Sequence, residues 1–210
     1  MTGLYSHGTK WGMKSLLFVL SLLASSVAYS TQPVSGIVER TSAGLFLHVP
    51  EKAPHCEHLL IHAKSDEAVQ SLKKLDTGDA ITAAGFFAYE SCSVFIDSVD
   101  YVGLKRLLGH WHSSDGIISV QDFDSLNFYP IKLKDLTKGG VYEKIEPIRY
   151  RYSLTPSEGA EWVLFLSDST STSFATLQFS KASAIMKIYD SDTGAIKKTL
   201  RLSKWSPLNK

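Results

Sequence analysis

Three histidines and one cysteine lie within eight positions in HCEHLLIH, residues 55–62, a grouping that suits metal binding, thiol chemistry or a disulfide beside a strand. If residues 58–62 form a strand, a rise of ~3.3 Å per residue separates His58 and His62 by about 13 Å, too far to share one ion. His48 with either of them makes a pair of ligands, whereas protein zinc sites use three or four. The spacing therefore predicts no metal site and no bound cofactor.

The amino terminus has the pattern of a signal peptide. Two lysines precede SLLFVLSLLASSVA, residues 15–28, an uncharged run that is too short to span a bilayer core of ~30 Å. The sequence Ala-Tyr-Ser at 28–30 then provides a small-x-small cleavage site. We expect residues 1–30 to be removed on export to the periplasm or the medium, which leaves a mature chain without a transmembrane span. An uncut anchor and a start at Met13 are the alternatives.

Cys56 and Cys92 are the only two cysteines among the 210 residues. Two cysteines in an oxidising compartment usually pair, whereas in a reducing cytosol they more often remain thiols. Export therefore predicts a Cys56–Cys92 disulfide, worth ~3 to 4 kcal/mol in the chain-entropy model. The pairing leaves no thiol for catalysis or metal binding.

Hydrophobic periodicity in the first half predicts short strands around one helix. SDEAVQSLKKL, residues 65–75, has Ser65 as its N-cap, acidic residues in its first turn and lysines near its end. The strands are predicted at 35–40, 44–49, 58–62, 80–88 and 93–102.

This β-β-β-α-β-β order, with LDTGDAITAAG opening the fourth strand, resembles the oligonucleotide/oligosaccharide-binding (OB) fold over about residues 34–102. The resemblance implies that the third and fifth strands run parallel and close a barrel. Cys56 and Cys92 each precede one of those strands, so their disulfide would lie at the closing seam.

The OB resemblance also implies that ligands bind on the outer face of strands two and three. Strand alternation puts one set of side chains on that face, and these are the candidate binding residues: Phe46, His48, His58, Leu60 and His62. The alternative is an ordinary solvated sheet face.

The second half reads as an antiparallel meander, with turn residues recurring at strand-length intervals. LLGHW, residues 107–111, opens the meander and resembles the start of a lipocalin-like small barrel; a β-sandwich fits the same alternation. Trp111 and Trp162 are the candidate residues beside an internal cavity. DSDTG, residues 190–194, predicts a hairpin turn.

The net charge of the chain changes from negative to positive at about Gly103. Residues 33–103 contain 5 Lys/Arg and 10 Asp/Glu, and residues 104–210 contain 15 and 11. The shift predicts an OB-like domain over 33–103 and an antiparallel barrel or sandwich domain over 104–206. Neither half is basic enough for a phosphate-neutralising surface, which excludes nucleic acid as a partner.

Known catalytic motifs are absent from the sequence, and we predict no catalytic residue. The expected function is therefore that of an exported, non-catalytic binding protein, whose partner is an envelope component, another protein or a small apolar ligand. An enzyme acting on an envelope polymer and a structural envelope protein are the alternatives.

Overall fold

The computed structural model describes residues 30–49, 55–131 and 145–205, so the predicted signal peptide lies outside the described residues except for Ser30. The described chain is all-β with one short helix, α1 (Asp66–Lys73), which confirms the predicted fold class. The strands are β1 (Gln32–Thr41), β2 (Gly44–His48), β3 (Leu59–Ala63), β4 (Ala80–Ala88), β5 (Ser93–Gly103), β6 (Gly109–His112), β7 (Ile117–Val120), β8 (Ser125–Tyr129), β9 (Ile148–Pro156), β10 (Trp162–Ser167), β11 (Thr172–Ser180), β12 (Ser183–Tyr189) and β13 (Ile196–Trp205). None of the helical structure in these ranges is long and apolar enough to span a membrane.

Strands β1 to β5 close into a five-stranded ring. β1 pairs with β2 and β4, β2 pairs with β3, and β4 pairs with β5, all antiparallel, while β3 and β5 are parallel. Alternation gives each strand one inward row of side chains. The ring encloses a buried apolar core formed by that row, which includes Val38, Leu47, Leu59, Ile81 and Ile96.

Helix α1 connects β3 to β4 and packs against the ring through its apolar side. The Ser65 hydroxyl accepts a hydrogen bond from the backbone N–H of Ala68, as expected of an N-cap. At the other end, the Arg40 guanidinium donates to the carbonyl oxygens of Leu72 and Leu75. Arg40 thus supplies a side-chain donor to carbonyls at the end of the helix. The helix ends at Lys73, slightly earlier than the predicted 65–75.

Strands β6 to β13 close into a second ring, an eight-stranded antiparallel barrel. Each strand pairs with the next, and β13 pairs back with β6, which decides for a barrel over a sandwich. We call the end with the β6–β7, β10–β11 and β12–β13 turns the upper end. The opposite end is the lower end. The predicted hairpin turn at 190–194 is the last of the upper turns, and the Asp190 carboxylate accepts a bond from the backbone N–H of Thr193 there.

The predicted disulfide is present and joins Cys56 to Cys92, whose Cα atoms are 5.4 Å apart. Cys56 precedes β3 and Cys92 directly precedes β5. The Cys92 carbonyl accepts a hydrogen bond from the backbone N–H of Leu60, where the parallel β3–β5 pairing begins. The disulfide therefore fastens the seam that closes the five-stranded ring.

The two rings meet where β5 ends. β5 pairs with β9 through Val102 and Leu154, and the Phe123 ring lies against Gly103 so closely that a Cβ there would be 2.5 Å from it. Residues Thr31–Lys210 form one compact unit. The division into two domains near Gly103 stays a prediction.

Candidate functional site

The five candidate binding residues of the first ring share one side of β2 and β3. Phe46, His48 and Leu60 are partly exposed and His58 and His62 are exposed, whereas Leu47 and Leu59 on the opposite side are buried. Because side chains alternate along a strand, a one-residue change of register would reverse these faces. The observed register places all five on the outside of the ring.

His48 and His58 lie together on this outer face, with ring centroids 5.6 Å apart. The His58 Nδ1 atom is 3.2 Å from a Glu39 carboxylate oxygen, and His48 Nδ1 is 3.2 Å from the Glu57 carbonyl oxygen. Across the described residues, no group of three or more potential ligands is arranged to hold a metal ion. The histidines instead provide polar, hydrogen-bonding groups beside apolar surface.

His62 begins a row of three stacked rings that crosses three strands. Its ring stacks on Phe95 of β5 at 4.9 Å, and Phe95 stacks on Phe86 of β4 at 4.9 Å. Lys64 lies over the Phe86 ring at 5.1 Å and pairs with Asp97 at 2.9 Å. We call His62, Phe95 and Phe86 the outer aromatic row.

Sequence reasoning missed Phe86 and Phe95. The period-two alternation of β4 and β5 predicts the face of each strand on which Phe86 and Phe95 lie. The β3–β5 and β4–β5 registers that bring these two rings to His62, however, are long-range pairings. At Gly85 a Cβ would be 2.1 Å from the Phe95 carbonyl oxygen, so the two backbones approach more closely there than a side chain allows.

The lower end of the eight-stranded barrel is filled by the two candidate tryptophans. Trp111 and Trp162 are each 1% exposed, and the Trp111 indole donates to the Leu107 carbonyl oxygen at 2.7 Å. The Lys204 ammonium lies 5.3 Å from the Trp111 ring, and the Arg106 guanidinium lies 5.6 Å from the Trp162 ring. Both indoles therefore belong to a closed, packed end of the barrel.

The upper end contains a cavity of about 180 Å³, and neither tryptophan is among the residues that line it. Apolar side chains from five strands form most of its wall: Ile118, Leu126, Phe128, Leu166, Met186, Ile188 and Leu200. The role of the two indoles beside an internal cavity stays a prediction.

The polar groups of this cavity are Asp115, Lys198, Tyr150 and Ser173. Lys198 of β13 forms an ion pair with the Asp115 carboxylate in the β6–β7 turn, whose Oδ2 atom is buried and whose Oδ1 atom accepts a bond from the Ser114 hydroxyl. Burial raises the pKa of the Tyr150 hydroxyl, and the nearby Asp168 carboxylate adds to that effect, so this group stays neutral. No local motif marks Asp115 and Lys198, because they meet only when the barrel closes.

Asp122 and Asp124 are two neighbouring carboxylates of the kind an enzyme needs. Asp122 accepts bonds from the backbone N–H groups of Asp124 and Ser125 as well as from the Ser125 hydroxyl, which lower its pKa although burial acts the other way. Asp124 pairs with Arg151 at 2.5 Å. The Asp122 carboxylate therefore stabilises the β7–β8 turn, and the Asp124 carboxylate joins that turn to β9.

Comparison with known proteins gives no family to this chain. No family model, curated protein or solved structure matches it.

Proposed function

We propose that this protein is an exported, non-catalytic binding protein that holds a small apolar molecule in the upper end of its eight-stranded barrel. The observation that carries the proposal is the cavity of about 180 Å³ with mainly apolar walls. Ligand sites are typically concave, mostly apolar and supplied with a few convergent polar groups, as here. The eight-stranded meander also supports the lipocalin-like resemblance of this half, and the β1-β2-β3-β5-β4 ring with its intervening helix supports the OB resemblance of the other.

The volume of the cavity limits the size of the ligand that can bind in it. An engineered cavity of about 150 Å³ with Leu, Ile and Phe walls binds benzene. At about 180 Å³, the barrel cavity suits a molecule of benzene size or slightly larger. Long-chain lipids and steroids are therefore not the expected ligands.

We also propose that the protein is exported. The Cys56–Cys92 disulfide is stable in oxidising compartments, and the sequence before Thr31 has the pattern of a signal peptide. We expect the mature protein in the periplasm or the medium.

The test combines native mass spectrometry with titration of benzene. The exported protein is expected to show either a co-purified small molecule, lost on denaturation, or saturable binding of added benzene. Ile188→Phe places extra volume inside the cavity and is expected to reduce benzene affinity at least about tenfold. Ile185→Phe, on the same strand but with its side chain 39% exposed, is the matched control and should leave the affinity unchanged. Equal benzene affinity in both variants, or a folded wild type that neither carries a co-purified molecule nor binds benzene, would reject the proposal.

A second candidate function is capture of an envelope component or partner protein on the outer face of β2 and β3. The observations that favour it are the outer aromatic row and the His48–His58 pair, both on the outer face of the five-stranded ring. Partly exposed aromatic rings next to hydrogen-bonding groups are typical of interface centres.

This second function is tested with His48→Ala/His62→Ala in capture from an envelope extract, with the retained species identified by mass. The double variant is expected to lose a specific species that the wild type and His112→Ala, a control in the other barrel, both retain. Unchanged capture by the double variant would show that this face is not the binding site.

A further inference from the structure

A row of apolar side chains crosses the outer surface of the eight-stranded barrel, away from its cavity and from the outer face of β2 and β3. Phe165 of β10 is the cross-strand partner of Phe174 of β11. Phe174 in turn pairs with Tyr189 of β12, and Tyr189 pairs with Ile196 of β13. The ring centroids are 5.7 Å apart between Phe165 and Phe174 and 5.1 Å apart between Phe174 and Tyr189. We call these four residues the barrel outer band.

The band lies outside the barrel because its neighbours along the chain fill the interior. Leu164 and Ala175 are 1% and 0% exposed, whereas Phe165 is 41% exposed and Ile196 is 54% exposed. Contiguous exposed apolar surface usually marks an interaction site. Neighbouring strands are ~4.8 Å apart, so the band extends for about 14 Å across four strands and suits an extended partner.

A groove of about 380 Å³ continues this surface on the other side of Phe165. Ser153 of β9, the cross-strand partner of Phe165, lines the groove together with Phe123 and with Tyr101 of β5. Tyr101 is 52% exposed. The surface therefore continues from the barrel to the end of β5.

Hydroxyl groups flank the band on both sides. Ser167 and Thr172, each two positions from a band residue, have hydroxyl oxygens 3.1 Å apart. On the other side, the Thr176 hydroxyl is 3.4 Å from the Tyr189 hydroxyl and also bonds Glu161. A hydroxyl has one donor and two acceptor lone pairs, so each of these groups retains an acceptor site. The band is thus an apolar strip between hydrogen-bonding edges.

Charges of both signs lie around the band. The charged side chains next to it on its strands and turns are Arg151, Glu161, Asp168, Lys187, Asp190 and Lys197. Lys187 pairs with Glu161 at 2.8 Å, and Arg151 pairs with Asp124. Asp168 and Asp190 each accept bonds from two backbone N–H groups of their own turns. A partner with many charges of one sign would therefore meet like charges as well as opposite ones.

We infer that the barrel outer band binds an uncharged glycan chain. The C–H groups of sugar rings are weakly positive and the faces of aromatic rings are negative, so sugar rings bind against exposed aromatic side chains. The sugar hydroxyls then bond the hydroxyls of Ser167, Thr172 and Thr176. A glycan has the same pattern as the band, with apolar ring faces between hydroxyl-rich edges, and this match favours it over a protein segment. The inference concerns a different surface from the proposed ligand cavity and does not depend on it.

Three neutral hexasaccharides test the inference in wild-type protein: cellohexaose, maltohexaose and the hexamer of N-acetylglucosamine. At least one is expected to bind saturably, with its largest NMR shifts at the backbone N–H groups of Phe165, Phe174 and Tyr189. Hexagalacturonate, an anionic chain, should bind at least about tenfold more weakly than the best neutral chain. The inference is wrong if no neutral chain binds, if the shifts lie elsewhere, or if hexagalacturonate binds equally tightly.

Variants of the band test whether its rings make the contact. Phe165→Ala/Phe174→Ala is expected to lower the affinity for the best hexasaccharide at least about tenfold, whereas Phe165→Tyr keeps a ring and should retain the affinity. Tyr89→Ala removes a ring of similar exposure, 43%, from the first half of the chain and is the matched control. If the double variant fails to fold, Phe165→Ala decides the result alone. Unchanged affinity in a folded band variant, or an equal loss in Tyr89→Ala, would overturn the inference.

Two further outcomes separate this inference from the other proposals. If the wild type retains a protein from an envelope extract that Phe165→Ala/Phe174→Ala loses, and no neutral hexasaccharide displaces it, the band is a protein interface and the inference is wrong. If the wild type binds benzene but no hexasaccharide, the cavity keeps its proposed function and only the glycan surface is rejected.

Discussion

At the scale of single residues, Asp79 connects the two halves of the protein through backbone hydrogen bonds. Its side chain is 2% exposed, and its two oxygens accept bonds from the N–H groups of Asp76 and Lys105, both at 2.8 Å. Asp76 belongs to the turn before β4, and Lys105 begins the segment between the rings. Burial raises the pKa of Asp79, because desolvation penalises its charged form more than these bonds favour it.

We predict that Asp79→Asn lowers the free energy of unfolding by about 1–3 kcal/mol, because an amide has one carbonyl oxygen in place of two acceptor oxygens. The loss should also depend on pH. As the pH falls through the raised pKa towards the ordinary value of 3.8, the folded protein binds a proton that the unfolded chain does not, which increases wild-type stability relative to the variant.

Urea denaturation at several pH values measures this difference. The difference in free energy of unfolding between wild type and Asp79→Asn is expected to widen as the solution is acidified from neutral pH. A gap that narrows on acidification would contradict the assigned direction of the pKa shift.

Among the elements, the parallel β3–β5 pairing is a short closure of the five-stranded ring. It extends over four residue pairs, from Leu60–Ser93 to Ala63–Ile96, whereas the β4–β5 pairing extends along nearly the whole of both strands. The Cys56–Cys92 disulfide lies where this short parallel pairing begins. The disulfide therefore reinforces a seam that a few backbone hydrogen bonds hold.

Cys56→Ala/Cys92→Ala is expected to lower the free energy of unfolding by ~3 kcal/mol. The effect should be local at first. Hydrogen exchange should accelerate most at the N–H groups of Leu60 and Lys64, which donate to the carbonyls of Cys92 and Ile96 across the seam. N–H groups in the β11–β12 pairing of the eight-stranded barrel are the internal control. Equal acceleration in both rings would contradict a role confined to the seam.

At the scale of the whole molecule, the two rings contact each other through a few well-packed groups. The Phe123 ring covers Gly103, and Lys74, just after α1, donates to the Ser157 carbonyl and lies 5.6 Å from the Trp162 ring. The helix of the first half therefore reaches the lower end of the second. Unfolding of either ring would expose apolar surface belonging to this contact.

Gly103→Ala is expected to destabilise the protein by about 1–3 kcal/mol, because the added Cβ would overlap the Phe123 ring. The same substitution in a Phe123→Gly background should cost much less, because both the ring and the Cβ that the new Cβ would overlap are gone. A double-mutant cycle from urea denaturation measures this coupling. Additive effects would show that Gly103 and Phe123 do not determine how the rings pack.

Local sequence patterns predicted much of this arrangement. Period-two alternation predicted that Leu47 is buried and that Phe46 and His48 lie outside, and the Ser65 N-cap predicted the start of the helix. The stacking of His62 on Phe95 and the meeting of Asp115 with Lys198 were not predictable in this way. Each depends on strand pairings between distant parts of the chain, which leave no short-range periodicity.

Residues close in the chain were enough to predict the succession of strands along the chain, the helix and the outward face of β2 and β3, and a count of two cysteines left one possible pairing. Three features appear only in the folded chain: the meander closes as a barrel, Trp111 and Trp162 are buried at its lower end, and the cavity lies at the upper end beside an ion pair. Side-chain packing explains the difference. The space left in a barrel depends on how side chains from every strand fill the interior together, and no single segment contains that information.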